Sequence, residues 1–149
     1  MATITLNQQT TATPEQFLAG LTDFGPGRKE LFPNSADDYL KVHDQGAGFA
    51  DVTEGNGGIW ERLRYDWSDP ERIVLTTVDS NLWGGQSGHT YTFTKQADGT
   101  TVVHARIVRE GKNLKGKLLG LVLTVFGKNV LGGAFAKTIK AIEGGVKNS

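Results

Sequence analysis

The sequence predicts an α+β fold in which a curved antiparallel sheet grips a long C-terminal helix. Three observations carry that expectation. Between Asp38 and Glu110, apolar and polar residues alternate with a period of two, interrupted roughly every ten residues by Gly-, Asn- or Asp-rich turns. After Gly111 the apolar spacing lengthens to three and four, the period of a helix. Finally, 149 residues suffice for one domain with a sizeable core and are too few for two comfortable ones, so residues 1–149 are read as a single domain.

Taken in order, Thr3 to Thr10 alternates as an opening strand with Ile4 and Leu6 on one face. A helix follows at once. Thr13 stands at the N-cap, Pro14 at the first helical position and Gln16 three residues after the cap, a capping box that satisfies two orphan amides. Phe17, Leu18 and Leu21 supply its buried face. Gly25-Pro26-Gly27 breaks the chain, and Arg28 to Phe32 before Pro33 leaves room for a short second helix. Six strands are expected at 39–44, 48–54, 59–67, 72–80, 88–96 and 101–110, making seven with the first. Turns fall at Gln45-Gly46, Gly55 to Gly58, Ser68-Asp69-Pro70 and Ala97-Asp98-Gly99, of which Asp98-Gly99 is the sharpest hairpin signal.

In the last segment Leu114, Leu118, Leu121, Val125, Leu131, Phe135, Ile139 and Ile142 form a stripe expected to face the core. A second apolar arc, Leu119, Leu123, Phe126 and Val130, is flanked by Lys115 and Lys117. Either the short helices pack there, or the arc is an exposed patch suited to an anionic membrane. Gly116, Gly120, Gly127, Gly132 and Gly133 each cost on the order of 1 kcal/mol relative to Ala inside a helix and call for a reason such as close backbone packing.

Composition narrows the function classes. Lys plus Arg equals Asp plus Glu at 16 each, so no bulk field favours a polyanion and no nucleic-acid partner is expected. The balance hides an asymmetry: Arg109 to Ser149 carries +6 and the preceding 108 residues −6. With no cysteine there is neither a disulfide nor thiolate chemistry. The N-terminus does not read as a signal peptide, and the longest apolar stretch, Leu118 to Gly127, falls short of the roughly 20 residues of a membrane span. A cytoplasmic protein, monomeric or weakly homodimeric, is the expectation.

The element order, together with Trp60-Glu61-Arg62, Tyr65 to Pro70, Asp79-Ser80-Asn81, Ser87 to Tyr91 and Arg109-Glu110-Gly111-Lys112, resembles the START-like superfamily, and within it the bacterial polyketide cyclase/dehydrase-like, or SRPBCC, branch. The resemblance spans essentially the whole chain and implies the helix-grip fold of START-like and Bet v 1-like proteins. Its members include ligand carriers, lipid-transfer proteins, cyclases and hydrolases, so it implies a pocket without naming the occupant.

Several polar side chains fall on otherwise apolar strand faces. Alternation groups Glu61 with Ile59, Leu63, Tyr65 and Trp67, and His89 with Tyr91 and Phe93. An ionised Glu61 there must be paired or become neutral. His89 is a candidate acid, base or hydrogen-bond donor, or simply a satisfied core histidine. Asp79 ends the face of Ile73, Leu75 and Thr77 and is placed to orient His89, with a local turn cap as the plainer reading for Asp79 and Ser80. Arg109 shares a face with Val103, Ala105 and Ile107, as a counter-charge for Glu61 or for an anionic ligand. Trp83 sits in the Asn81–Gly88 loop and reads as exposed. His43, His89 and His104 lack metal-site spacing, so neither metal nor other cofactor is expected.

The leading expectation is a carrier for a lipid, fatty acid or polyketide-like aromatic. Its apolar wall would come from Leu63, Tyr65, Trp67, Leu75, Tyr91, Phe93, Ile107, Leu118, Val125 and Phe135, with Glu61, His89 and Arg109 holding the polar end. Two alternatives stand beside it. One is a cyclase, dehydratase or hydrolase using Glu61, Asp79 and His89, and the other a lipid-exchange protein touching membranes transiently through its C-terminal helix.

Overall fold

Alternation, capping and turn chemistry act locally, and the elements they specify form where expected. The computed structural model describes residues 1–147. Strand β1 (Ala2–Thr10) leads into helix α1 (Pro14–Leu21) and a 3-10 turn (Arg28–Glu30). Strands β2 (Lys41–Gly46), β3 (Phe49–Asn56), β4 (Ile59–Asp66), β5 (Arg72–Ser80), β6 (Gly88–Lys95) and β7 (Thr101–Arg109) precede helix α2 (Leu114–Lys147). The capping box of α1 is complete: the Gln16 amide donates to Thr13 Oγ1 at 3.1 Å, and the Thr13 amide to Gln16 Oε1 at 2.8 Å. Such a cap contributes about 1 kcal/mol.

The seven strands form one curved antiparallel sheet in the order β1-β7-β6-β5-β4-β3-β2, so the chain's first strand closes against its last. This is the helix-grip arrangement. One local feature differs from expectation. Gln45 and Gly46 belong to β2, and the turn lies after them, at Ala47-Gly48. β2 is an edge strand exposed throughout and interrupted between Val42 and Asp44, which deprives it of a burial signal and blunts a pairing edge.

The core lies between the concave face and the C-terminal half of α2. Ile4, Leu6, Leu63, Tyr65, Ile73 and Val103 from the sheet meet Phe17 and Leu21 of α1 and Ile139 and Ile142 of α2. Each such side chain contributes about 1.5–3 kcal/mol by leaving water. α1 is fixed where Gly20 lies against Ile142, and the chain after the 3-10 turn is tied down where Thr138 Oγ1 donates to the Leu31 carbonyl at 2.7 Å.

The N-terminal half of α2 departs from the expected stripe. Leu131, Phe135, Ile139 and Ile142 do pack inward, but Leu114, Leu118, Leu121 and Val125 face solvent, with Leu118 55% and Val125 70% exposed. The inward face there is made of glycine. A Cβ on Gly116 would stand 2.2 Å from the Leu82 carbonyl oxygen, and one on Gly127 3.1 Å from Ile4 Cγ1. Residues 116, 120, 127, 131, 134 and 138 lie on one side of the helix, on average about 135° from Leu114, Leu121 and Val125 at 100° per residue. Hydrophobic periodicity detects bulk, whereas this contact selects its absence. Nor do the short helices cover Phe126 and Val130, which are also exposed; α1 meets the other end of α2. Leu118 to Gly127 is the longest apolar stretch, yet Leu114–Gly145 as a whole is by length and composition apolar enough to cross a bilayer.

Gly116→Ala should therefore destabilise the protein by about 2 kcal/mol through overpacking against backbone, despite alanine's helix preference. Gly133→Ala, where an added Cβ meets nothing within 4 Å, should stabilise it by about 1 kcal/mol. Chemical denaturation of the pair measures both; equal shifts would contradict the close-approach account.

Candidate functional site

A cavity of about 330 Å³ separates the sheet from α2, at the small end of the range typical of ligand pockets. Leu63, Tyr65, Leu75, Tyr91 and Ile107 line its sheet side, and Leu123, Leu131, Ala134 and Phe135 its helix side. Trp83 and Phe32 border it from the connecting loops. Tyr91 is packed between Phe17, with ring centroids 5.3 Å apart, and Phe135, stacked at 6.4 Å. Two polar clusters interrupt this apolar lining.

The first joins Glu61 of β4, Thr77 of β5, His89 of β6 and Arg109 of β7. β4 and β7 are three strand spacings apart, about 14 Å in a flat sheet. Curvature and the length of the arginine bring Arg109 Nη1 within 2.7 Å of Glu61 Oε2, which also accepts from Thr77 Oγ1. Arg109 Nη2 lies 2.9 Å from His89 Nε2, and the Trp83 ring covers the guanidinium at 5.4 Å. A guanidinium only donates, so His89 Nε2 accepts and the imidazole proton resides on Nδ1, facing the Tyr91 hydroxyl at 3.4 Å. Burial, reinforced by the Arg109 charge, pushes the His89 pKa well below its ordinary value and keeps the ring neutral. Burial raises the Tyr91 phenol, which stays protonated. Among the described residues, Glu61 Oε1 accepts no hydrogen bond and the Tyr91 O–H has no acceptor, so this cluster presents both an acceptor and a donor at the cavity wall.

The second cluster centres on Arg28, from the 3-10 turn, and Glu54 of β3. Arg28 Nε donates to Glu54 Oε1 at 2.7 Å, Nη1 to the Asp23 carbonyl at 2.6 Å and Nη2 to the Tyr65 hydroxyl at 3.1 Å. Ser35 Oγ donates to Glu54 Oε1 at 2.8 Å, and the Tyr65 hydroxyl to Glu54 Oε2. The rings of Phe24 and Phe32 lie 4.7 and 4.6 Å from the guanidinium carbon. Burial, and the neighbouring Glu54 charge after it, drives the Tyr65 phenol well above its ordinary pKa, so it serves Glu54 as a donor. Each guanidinium at the cavity thus has its own carboxylate.

The structure brings Glu61, His89 and Arg109 together beside Leu63, Tyr65, Leu75, Tyr91, Ile107 and Phe135. It removes others from the expected site. Asp79 points outward to Lys112 at 3.3 Å rather than to His89. The cause is a bulge: Arg62 pairs with Asp79 but Leu63 with Thr77, so Val78 is extra and reverses the phase of alternation beyond it. Ser80 takes the inward position, and its Oγ accepts from the Leu82 and Trp83 amides as a turn cap. Trp67 and Phe93 are half-buried against the core but do not line the cavity. Leu118 and Val125 are outside it, on the solvent face of α2. Trp83, expected to be exposed, is buried. Sequence reasoning missed Arg28, Ser35 and Glu54. Glu54 shares an alternating face with Ala50 and Val52, the signal that identified Glu61, whereas nothing local marks Arg28.

No protein-family model and no curated protein matches the chain. Solved structures do. A protein from Thermus thermophilus is 13% identical over 95% of this chain and 94% of its own, with a TM-score of 0.65. The Zhui aromatase/cyclase from Streptomyces sp. R1128 is 14% identical over 93% and 92%, with a TM-score of 0.63. A START superfamily protein from Mycobacterium smegmatis is 12% identical over 94% and 98%, with a TM-score of 0.61. The fold is the START-like helix grip.

Arg28→Ala leaves Glu54 buried without its counter-charge and should cost about 3–5 kcal/mol in denaturant unfolding. Arg62→Ala, at the exposed Arg62–Asp51 pair, should cost about 1 kcal/mol or less. A second expectation concerns pH. Because the folded-state pKa of His89 is depressed, the unfolded chain binds the extra proton once pH falls below about 6.5. Its contribution is complete above that pH and is lost as pH falls toward the folded value. In thermal unfolding between pH 7 and 5, His89→Gln should show a shallower fall than wild type; parallel profiles would contradict a neutral buried His89.

Proposed function

We propose that the chain is a binding protein for a neutral amphipathic small molecule, held between sheet and α2 with its apolar body against Leu63, Leu75, Ile107 and Leu131. The observation that carries this reading is the charge state of the lining. Arg28 and Arg109 are both neutralised, by Glu54 and Glu61, so an anionic head would have to displace an existing carboxylate to gain a cation. Beside the Arg109 cluster the lining offers an acceptor, Glu61 Oε1, and a donor, the Tyr91 hydroxyl, which together match a ligand hydroxyl or a hydroxyl–carbonyl pair. Within the expected range of lipids, fatty acids and polyketide-like aromatics, this favours hydroxylated neutral compounds over free fatty acids.

A cyclase or dehydratase acting on such a ligand is the second reading, and an aromatase/cyclase among the fold neighbours supports it. Its weakness lies at His89, whose lone pair is taken by Arg109 and whose proton faces Tyr91. Proton transfer would fall instead to Glu61 through Oε1.

Native mass spectrometry and tryptophan-fluorescence titration test the binding reading, since Trp60 and Trp83 both border the cavity. Neutral hydroxylated aromatics should bind at least about tenfold more tightly than carboxylates of similar size, a difference of about 1.4 kcal/mol. Ala134→Trp, which fills the cavity, should abolish binding while leaving circular dichroism unchanged. A cavity that refuses both classes, or binding unaffected by Ala134→Trp, would overturn the reading.

A further inference from the structure

The outward face of α2 has no partner among the described residues. Leu118, Leu121, Val122, Val125, Phe126 and Val130 are each more than half exposed, and at 100° per residue they occupy a single half of the helix surface. A contiguous apolar face of this kind marks an interaction site rather than scattered surface residues. Its surroundings specify the partner. From Gly111 to Ile142 there is no acidic residue, while Lys112, Lys115, Lys117, Lys128, Lys137 and Lys140 are present. Of these, Lys112 is paired with Asp79.

We infer that this face docks α2 in the plane of an anionic lipid bilayer, its leucine, valine and phenylalanine side chains entering the acyl boundary and its lysines meeting the headgroups. An apolar helix face bordered by lysine is the composition such docking requires. A second copy of the chain fits less well, because two α2 helices face to face would oppose lysine to lysine with no carboxylate between Gly111 and Ile142 to compensate. Spanning the bilayer would demand release of the opposite face, where Gly116 and Gly127 are in close contact with Leu82 and Ile4. The inference concerns the outside of α2 and stands independently of what occupies the cavity.

Vesicle flotation of the intact protein tests it, using phosphatidylcholine alone and phosphatidylcholine with one third phosphatidylglycerol. Wild type should float with the anionic vesicles about tenfold more strongly than with the neutral ones, and raised salt should remove the difference. Val125→Gln should weaken flotation several-fold, and Leu118→Gln/Val125→Gln together should abolish it with circular dichroism and thermal midpoint unchanged, since both side chains are exposed. Lys115→Gln/Lys117→Gln should remove the preference for anionic vesicles. The inference is overturned if wild type stays at the bottom of the gradient with anionic vesicles, if it floats equally on both compositions, or if the double apolar variant floats like wild type. It is equally overturned if sedimentation shows a homodimer that Val125→Gln dissociates, which would assign the face to a second copy.

Discussion

The glycine-lined approach of α2 to the first strand and to the Leu82–Trp83 segment governs the rest of the molecule. At Gly116 the helix comes closer to the Leu82 backbone than any larger side chain permits, and at Gly127 it lies tightly against Ile4 of the first strand. Once that contact fixes the rotation of the helix, two consequences follow. Leu123, Leu131, Ala134 and Phe135 are turned toward the concave face, where they border a cavity. Leu114, Leu118, Leu121, Val122, Val125, Phe126 and Val130 are turned to solvent. A helix gripped through leucines would reverse both outcomes.

Inside the grip, charge is distributed as two neutral units. Arg28 with Glu54, and Arg109 with Glu61, each pair a cation and an anion from different elements, and each is supported by hydroxyl donors, Ser35 and Tyr65 in one case and Thr77 in the other. Buried ion pairs seldom add net stability, because desolvation offsets their attraction. Their consequence here is chemical. They leave the cavity polar at chosen points but without net charge, while burial, reinforced by the Arg109 charge, keeps His89 a neutral acceptor.

The outside of the molecule follows a different rule. The chain is neutral overall, yet its positive charge is concentrated from Arg109 onward, in the segment that also carries the exposed apolar face. Charge balance over the whole sequence therefore says little about the local field at α2, where apolar surface and lysine coincide.

By itself the sequence determined what depends on near neighbours: the capped helix after Thr13, the alternating strands with their turns, the long final helix, and the shared faces that place Glu61 with Leu63 and Tyr65, and His89 with Tyr91. Periods and caps are local, so they survive without knowledge of the fold. Only the tertiary structure decided what depends on distance or on phase. One extra residue at Val78 turned Asp79 outward and Ser80 inward, a change that no alternation pattern records. Arg28 reached Glu54 across the fold, from a turn with no periodicity of its own. The rotation of α2 was set by glycines, whose contribution is the absence of a side chain, and a reading based on apolar bulk therefore assigned Leu118 and Val125 to the wrong side of the helix.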